Sequence, residues 1–89
     1  MQIMVRLAGS LAERAGAPRV AVELPEPATV SEIIGELQRL HPRIAVSMAR
    51  AIAVVAGRHA SPNDVVSASQ EIALLLPVAG GSQELFRVL

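Results

Sequence analysis

Apolar and polar residues alternate from the first position of the chain. Met1, Ile3, Val5 and Leu7 share one parity, and Gln2, Met4 and Arg6 share the other. That two-residue period predicts a half-buried strand. Ser10-Leu11-Ala12-Glu13 has the Ser-x-x-Glu form of a capping box and predicts a short helix to Ala15. Gly16-Ala17-Pro18 ends it. Val20, Val22 and Leu24 then alternate with Arg19, Ala21 and Glu23 as a second strand, expected antiparallel to the first.

Pro25-Glu26-Pro27-Ala28 reads as a turn. Thr29-Val30-Ser31-Glu32 is a second capping box. After it Val30, Ile33, Ile34, Leu37 and Leu40 fall at helical spacing, with Glu32, Glu36 and Arg39 on the other side. Pro42 stops this main helix at His41. Residues Pro42 to Arg50 suggest irregular helical turns. Ala51 to Ala56 reads as a third strand, Gly57-Arg58 as a turn and His59-Ala60 as a short return strand. Ser61 to Asp64 is loop, and Val65 to Gln70 has no clear period. Glu71 to Val78 is the last strand, apolar at both parities. A central strand, covered on one face and docked on the other, has that pattern. The periodicity supports a small α+β domain with one main helix. A hairpin, a helix across a mixed sheet and a final strand in its middle describe a β-grasp, ubiquitin-like arrangement.

At 89 residues the chain is one domain near the lower end of what folds alone. It has no cysteine, hence no disulfide framework and no thiol for metal binding or catalysis. All eight basic residues are arginine and are scattered, which gives no basic block for nucleic acid. The absence of lysine leaves no side-chain amine for acylation. The opening residues are too short and polar for a signal peptide, and no apolar stretch reaches membrane-spanning length. A cytoplasmic location is expected.

Pro77-Val78-Ala79-Gly80-Gly81 follows the apolar run Ile72 to Leu76. Glycine pairs cost chain entropy and bury nothing, but they let a bare backbone enter a narrow site. Eight residues follow, Ser82-Gln83-Glu84-Leu85-Phe86-Arg87-Val88-Leu89. An ordinary turn at Gly80-Gly81, with Ser82 capping a last turn that packs Leu85, Phe86 and Leu89, is the plain alternative. His41 and His59 are the only histidines. His41 suits a helix C-terminus, and no metal role is expected for either. Ser61, His59 and Asp64 could be written as a triad, but they share one short loop without an orienting scaffold. Gly9 and Gly57 are isolated and form no phosphate loop.

The order of elements and the segments Ala53-Val54-Val55-Ala56-Gly57 and Glu71 to Gly81 resemble the MoaD family, the small subunit of molybdopterin synthase among ThiS/MoaD-like sulfur carriers. The resemblance covers residues 1–81 and makes 82–89 a C-terminal extension. Three departures stand out. The family often has Asn where Ala56 stands, two prolines where Leu76-Pro77 stands, and an acidic turn where Ala68 to Glu71 stands.

The resemblance implies that the carboxylate of Gly81, once exposed, is adenylylated with ATP by a MoeB/ThiF-type (E1-like) adenylyltransferase. A sulfur donor then displaces AMP to leave a thiocarboxylate. The sulfur passes to a pterin precursor bound on the large subunit of molybdopterin synthase. The carrier would be a small subunit without catalytic residues or a bound cofactor of its own. Val78, Ala79 and Gly80 would thread the tail into the partner. Leu74, Leu76 and Pro77 are candidates for docking, with the core as the alternative place for Leu74 and Leu76. A protease would have to cut between Gly81 and Ser82. Two other readings stay open: a ubiquitin-like modifier conjugated through Gly81, and a β-grasp interaction domain that keeps its tail.

Overall fold

The computed structural model describes residues 1–77. The expectations for Val78, Ala79, Gly80, Gly81 and the residues from Ser82 onward lie outside the described residues.

Strand β1 (Gln2–Leu7) pairs antiparallel with β2 (Arg19–Glu23), Ile3 standing opposite Val22. Between them lies α1 (Ser10–Ala15). Its N-cap is Gly9 with no side-chain capping bond, so the capping box expected at Ser10 does not form. Ser10 is already helical there, one position too late to accept from the first turn. Gly16 ends α1 in the left-handed conformation at φ 80°. Its N–H donates to Glu13 O, and the Ala17 N–H donates to Ala12 O. These are the paired bonds of a Schellman motif, which glycine enters without a Cβ penalty.

A two-residue strand β3 (Ala28–Thr29) runs into α2 (Val30–Leu40). Here the second capping box is complete: the Glu32 N–H donates to Thr29 Oγ1, and the Thr29 N–H donates to Glu32 Oε1. Val30, Ile33 and Leu37 enter the core, Ile34 is half-buried and Leu40 is exposed. Full burial of side chains such as Ile33 and Leu37 contributes about 1.5–3 kcal/mol each. The His41 N–H donates to Leu37 O as the helix closes. A 3-10 turn (Pro42–Ile44) and α3 (Ala45–Met48) follow, seated by buried Ile44 and Met48.

Strand β4 (Ile52–Val55) turns back into β5 (Arg58–Ala60) through Ala56 and Gly57, both at positive φ. The segment that showed no clear period contains β6 (Val65–Val66), which pairs with β3 in a separate small sheet. Neither of these two-residue strands is long enough to show a period. The Ser67–Gln70 turn is closed by the Gln70 side chain, which accepts the Ser67 N–H.

Strand β7 (Ile72–Leu75) lies in the middle of the main sheet, whose order is β2-β1-β7-β4-β5. It runs parallel to β1 and antiparallel to β4. One face of this sheet, carrying Ile3, Val5, Leu7, Ile72 and Leu74, closes the core with α2 and Leu11. The fold is the β-grasp. No helix among the described residues is long and apolar enough to cross a membrane.

Candidate functional site

Strand β7 delivers the chain to Leu76 and Pro77, the last described residues before the glycine pair. Two surfaces adjoin that exit. The first is the open face of the sheet. Because strand side chains alternate, residues directly across from one another share a face. Arg19, Arg6, Ala73, Val54 and His59 therefore form one row across five strands. Leu75 lies opposite Ile52 in the next row toward the exit. Ile52, Val54 and Leu75 are half-buried, Met4 of the same face is 42% exposed, and Val54 and Ala73 line a hollow bordered by Ser69, Gln70 and Glu71. Charge sits at the rim, where Arg19 Nε is 3.5 Å from a Glu71 carboxylate oxygen. Apart from Arg6 on β1, the centre is apolar and the edge polar, as in protein docking surfaces.

This corrects the expected docking set. Leu74 is fully buried, pairs with Leu7 and Ala53, and belongs to the core. Of the two places open to Leu74 the core holds, and Ala73 and Leu75 take the outward parity. A one-residue shift moves a whole set of strand side chains to the other face, and a strand apolar at both parities does not reveal which set is inside. The sequence carries one signal of the open face in β1, where Met4 stands on the polar parity. Leu76 has both environments. It is half-buried against the core and also lines the hollow at the chain exit, together with Pro77.

That hollow is the second surface. It measures about 240 Å³ and is lined by Arg14, Ser47, Arg50, Leu76 and Pro77. Arg14 Nη1 donates to Ser47 Oγ at 2.6 Å, which ties α1 to α3 beside the exit.

The structure separates the remaining candidates. The Asp64 carboxylate accepts the Ser61 N–H at 2.8 Å, a turn-closing bond. His59 is exposed on β5, and His41 caps α2. No cluster of three metal-ligating side chains occurs among the described residues. Glu32 serves the capping box, and Glu36 pairs with Arg39 on the solvated side of α2. The hydrogen bond from Arg39 holds the Glu36 carboxyl below its ordinary value. Slight desolvation opposes this and the arginine charge adds to it.

The model of the ThiS family matches residues 5–81, from β1 through both glycines. The chain belongs to the ThiS family. Comparison with curated proteins finds no significant match. Among solved structures, this ThiS-family chain is similar to SAMP1 from Haloferax volcanii, at 27% identity and a TM-score of 0.79 over 91% of this chain and 100% of that one. A putative molybdopterin converting factor subunit 1 from Pyrococcus furiosus shares the fold, at 22% identity and a TM-score of 0.77, covering 88% of this chain and 99% of that one. So does a chain in the complex of subunits 1 and 2 of the molybdopterin-converting factor from Helicobacter pylori, at 18% identity and 0.64, covering 91% and 100%.

Proposed function

We propose that this ThiS/MoaD-type protein is a sulfur carrier whose working group is the carboxylate of Gly81, and that it serves molybdopterin formation in the cytoplasm. The observation that carries the reading is the extent of the family match. It runs through the glycine pair and stops at Gly81, leaving Ser82 to Leu89 as an extension of the 1–81 domain. Processing between Gly81 and Ser82 exposes the carboxylate. One carboxylate oxygen attacks the α-phosphorus of ATP on an E1-like adenylyltransferase, and pyrophosphate leaves. A sulfide equivalent then attacks the acyl carbon. The bond to the adenylate oxygen breaks, AMP leaves, and a thiocarboxylate remains. The large subunit of molybdopterin synthase takes up that sulfur, and hydrolysis returns the carboxylate.

The protein's own contribution is delivery. Holding the apolar sheet face on a partner makes attack at the tail effectively intramolecular. Gly80 and Gly81 present no side chain to a narrow channel. The structural likeness to a chain found with subunit 2 of a molybdopterin-converting factor supports the large subunit as that partner. A second reading, conjugation of Gly81 to other proteins, is favoured by the likeness to SAMP1, a small archaeal modifier protein.

The intact mass of the protein from its native cells tests both. A species ending at Gly81 with one oxygen replaced by sulfur is the expected result. Higher-mass adducts of that form would favour the modifier. A single full-length species ending at Leu89 would overturn acyl chemistry for this chain.

A further inference from the structure

The end of the molecule from which the chain departs is basic, and among the described residues its charges meet no carboxylate. The hollow at the exit is lined by Arg14 and Arg50. An adjoining hollow of about 280 Å³ is lined by Arg14, Leu40, His41, Pro42 and Arg43 among others. Arg14 is common to both, so the three arginines form one continuous ridge along the 3-10 turn, α3 and the end of α1. Among the described residues no carboxylate lines either hollow. Among the described residues, none of the three arginines has a carboxylate oxygen within 4.0 Å, whereas Arg19, Arg39 and the N-terminal amine each do.

Local helix electrostatics account for part of this. Arg14 lies in the last turn of α1, where a cation is favoured. Arg50 lies beyond α3, so that argument does not explain its place beside Leu76 and Pro77. Apolar groups are interleaved with the charges. Leu40 is 43% exposed, and Val46, beside Ser47 on α3, is 83% exposed. The formal net charge of the whole chain is zero, so this field is local and not a general affinity for polyanions.

We infer that Arg14, Arg43 and Arg50 form a docking ridge for an acidic protein surface at the entrance through which a partner takes the tail. The inference rests on the carrier reading. Pro77 is three residues from Gly80, so a partner enclosing the glycines must pass over this end. A ridge spanning two hollows, with leucine and proline between the charges, fits a protein rim with carboxylates and apolar groups better than a single phosphate. Charge pairing at such a rim acts on encounter rate and orientation, and weakens with salt. The sheet face would supply the apolar contact and the ridge the alignment of the tail.

The test uses the protein expressed in its native host and purified in the processed state found there. Its affinity for the recombinant large subunit of molybdopterin synthase, and for the adenylyltransferase, is measured by calorimetry across a range of salt. The R14E/R43E/R50E variant is compared with it. R43E/R50E serves as a second variant because it keeps the Arg14–Ser47 bond, and R58E serves as a charge control at a distant hairpin. Circular dichroism confirms that each is folded. The expected result is a loss of about tenfold or more in affinity for at least one partner, with a flattened salt dependence and no comparable loss in R58E. Equal affinity and equal salt dependence in wild type and both ridge variants would overturn the ridge alone. Failure of the wild type to bind either partner would overturn the carrier reading, and the ridge with it.

Discussion

Leu74 stands directly across from Ala53 in the ladder between β7 and β4, and both side chains are shut inside the core. Leu75, one residue on, faces Ile52 on the open side of the sheet. The two leucines should therefore fail in different ways. Leu74→Ala is expected to cost about 2–5 kcal/mol, because it leaves a cavity beneath the central strand. Leu75→Glu should leave a folded protein, with a cost of about 1 kcal/mol or less, yet abolish docking to a large subunit. Urea denaturation together with calorimetric binding separates these outcomes. A Leu75 variant that unfolds while Leu74→Ala is tolerated would reverse the assignment of faces.

The two capping-box motifs give a similar contrast. Thr29 and Glu32 exchange both bonds at the start of α2, whereas Ser10 makes no capping bond and Gly9 holds the N-cap of α1. Thr29→Ala should lower stability by about 1 kcal/mol. Ser10→Ala should change it by less than about 0.5 kcal/mol, since alanine suits a helical position. Thermal denaturation of the two single variants decides this, and equal losses would contradict the observed caps.

These cases show what the chain discloses by itself. Thr29-x-x-Glu32 precedes an eleven-residue helix whose apolar positions leave one register open, so motif and period agree. Ser10-x-x-Glu13 lies inside a six-residue helix with one buried residue, Leu11, too little pattern to fix the first turn. The alternation in β1 and β2 told inside from outside. The apolar run in β7 told only that the strand is central. Likewise Val65–Val66 pairs with Ala28–Thr29 through tertiary contact, and neither dipeptide carries a period of its own. The basic ridge joins Arg14, Arg43 and Arg50 from three separate segments, a juxtaposition only the fold creates.

The hairpin between β4 and β5 turns on two residues, and Ala56 takes φ 54° at the first of them. The left-handed region disfavours a Cβ, and Asn tolerates it better than Ala because its side chain can bond locally. Asn-Gly is accordingly a favoured pair for a two-residue hairpin turn. Ala56→Asn is expected to raise stability by about 0.5–1 kcal/mol. A shift of the urea midpoint to higher concentration, with unchanged slope, is the sign to look for. A lower midpoint would mean that the turn does not hold this conformation in solution.

Glu36 and Arg39 give a pH prediction whose sign is fixed. The Arg39 hydrogen bond lowers the Glu36 carboxyl from its ordinary 4.5. A carboxylate with a lowered folded value contributes stability that is complete above the ordinary value and is lost as pH falls through the folded one. Arg39→Ala should therefore bring the Glu36 titration back up, as followed by carboxyl-carbon NMR. The stability difference between wild type and variant should shrink in acid. Arg39 is exposed and Glu36 only half-buried at the surface, so solvent screens the pair and the effect is small. A Glu36 titration unmoved by Arg39→Ala would show that the pair does not persist in solution.

The last prediction concerns the acyl carbon itself. In the carrier reading, Gly81 must bring its carboxylate into two different sites, one that activates it and one that receives sulfur. Each needs attack along an open approach to the carbon, and a displacement of about 1 Å at a reacting centre can cost on the order of 100-fold in rate. A branched side chain at residue 81 crowds that approach, while a change at Ala79 lies two residues away. Gly81→Val should therefore depress ATP–pyrophosphate exchange by the adenylyltransferase by roughly 100-fold or more, with docking affinity largely kept because the sheet face is untouched. Ala79→Ser should alter neither quantity much. Exchange that survives Gly81→Val at full rate would remove Gly81 from the chemistry, whatever the fold resembles.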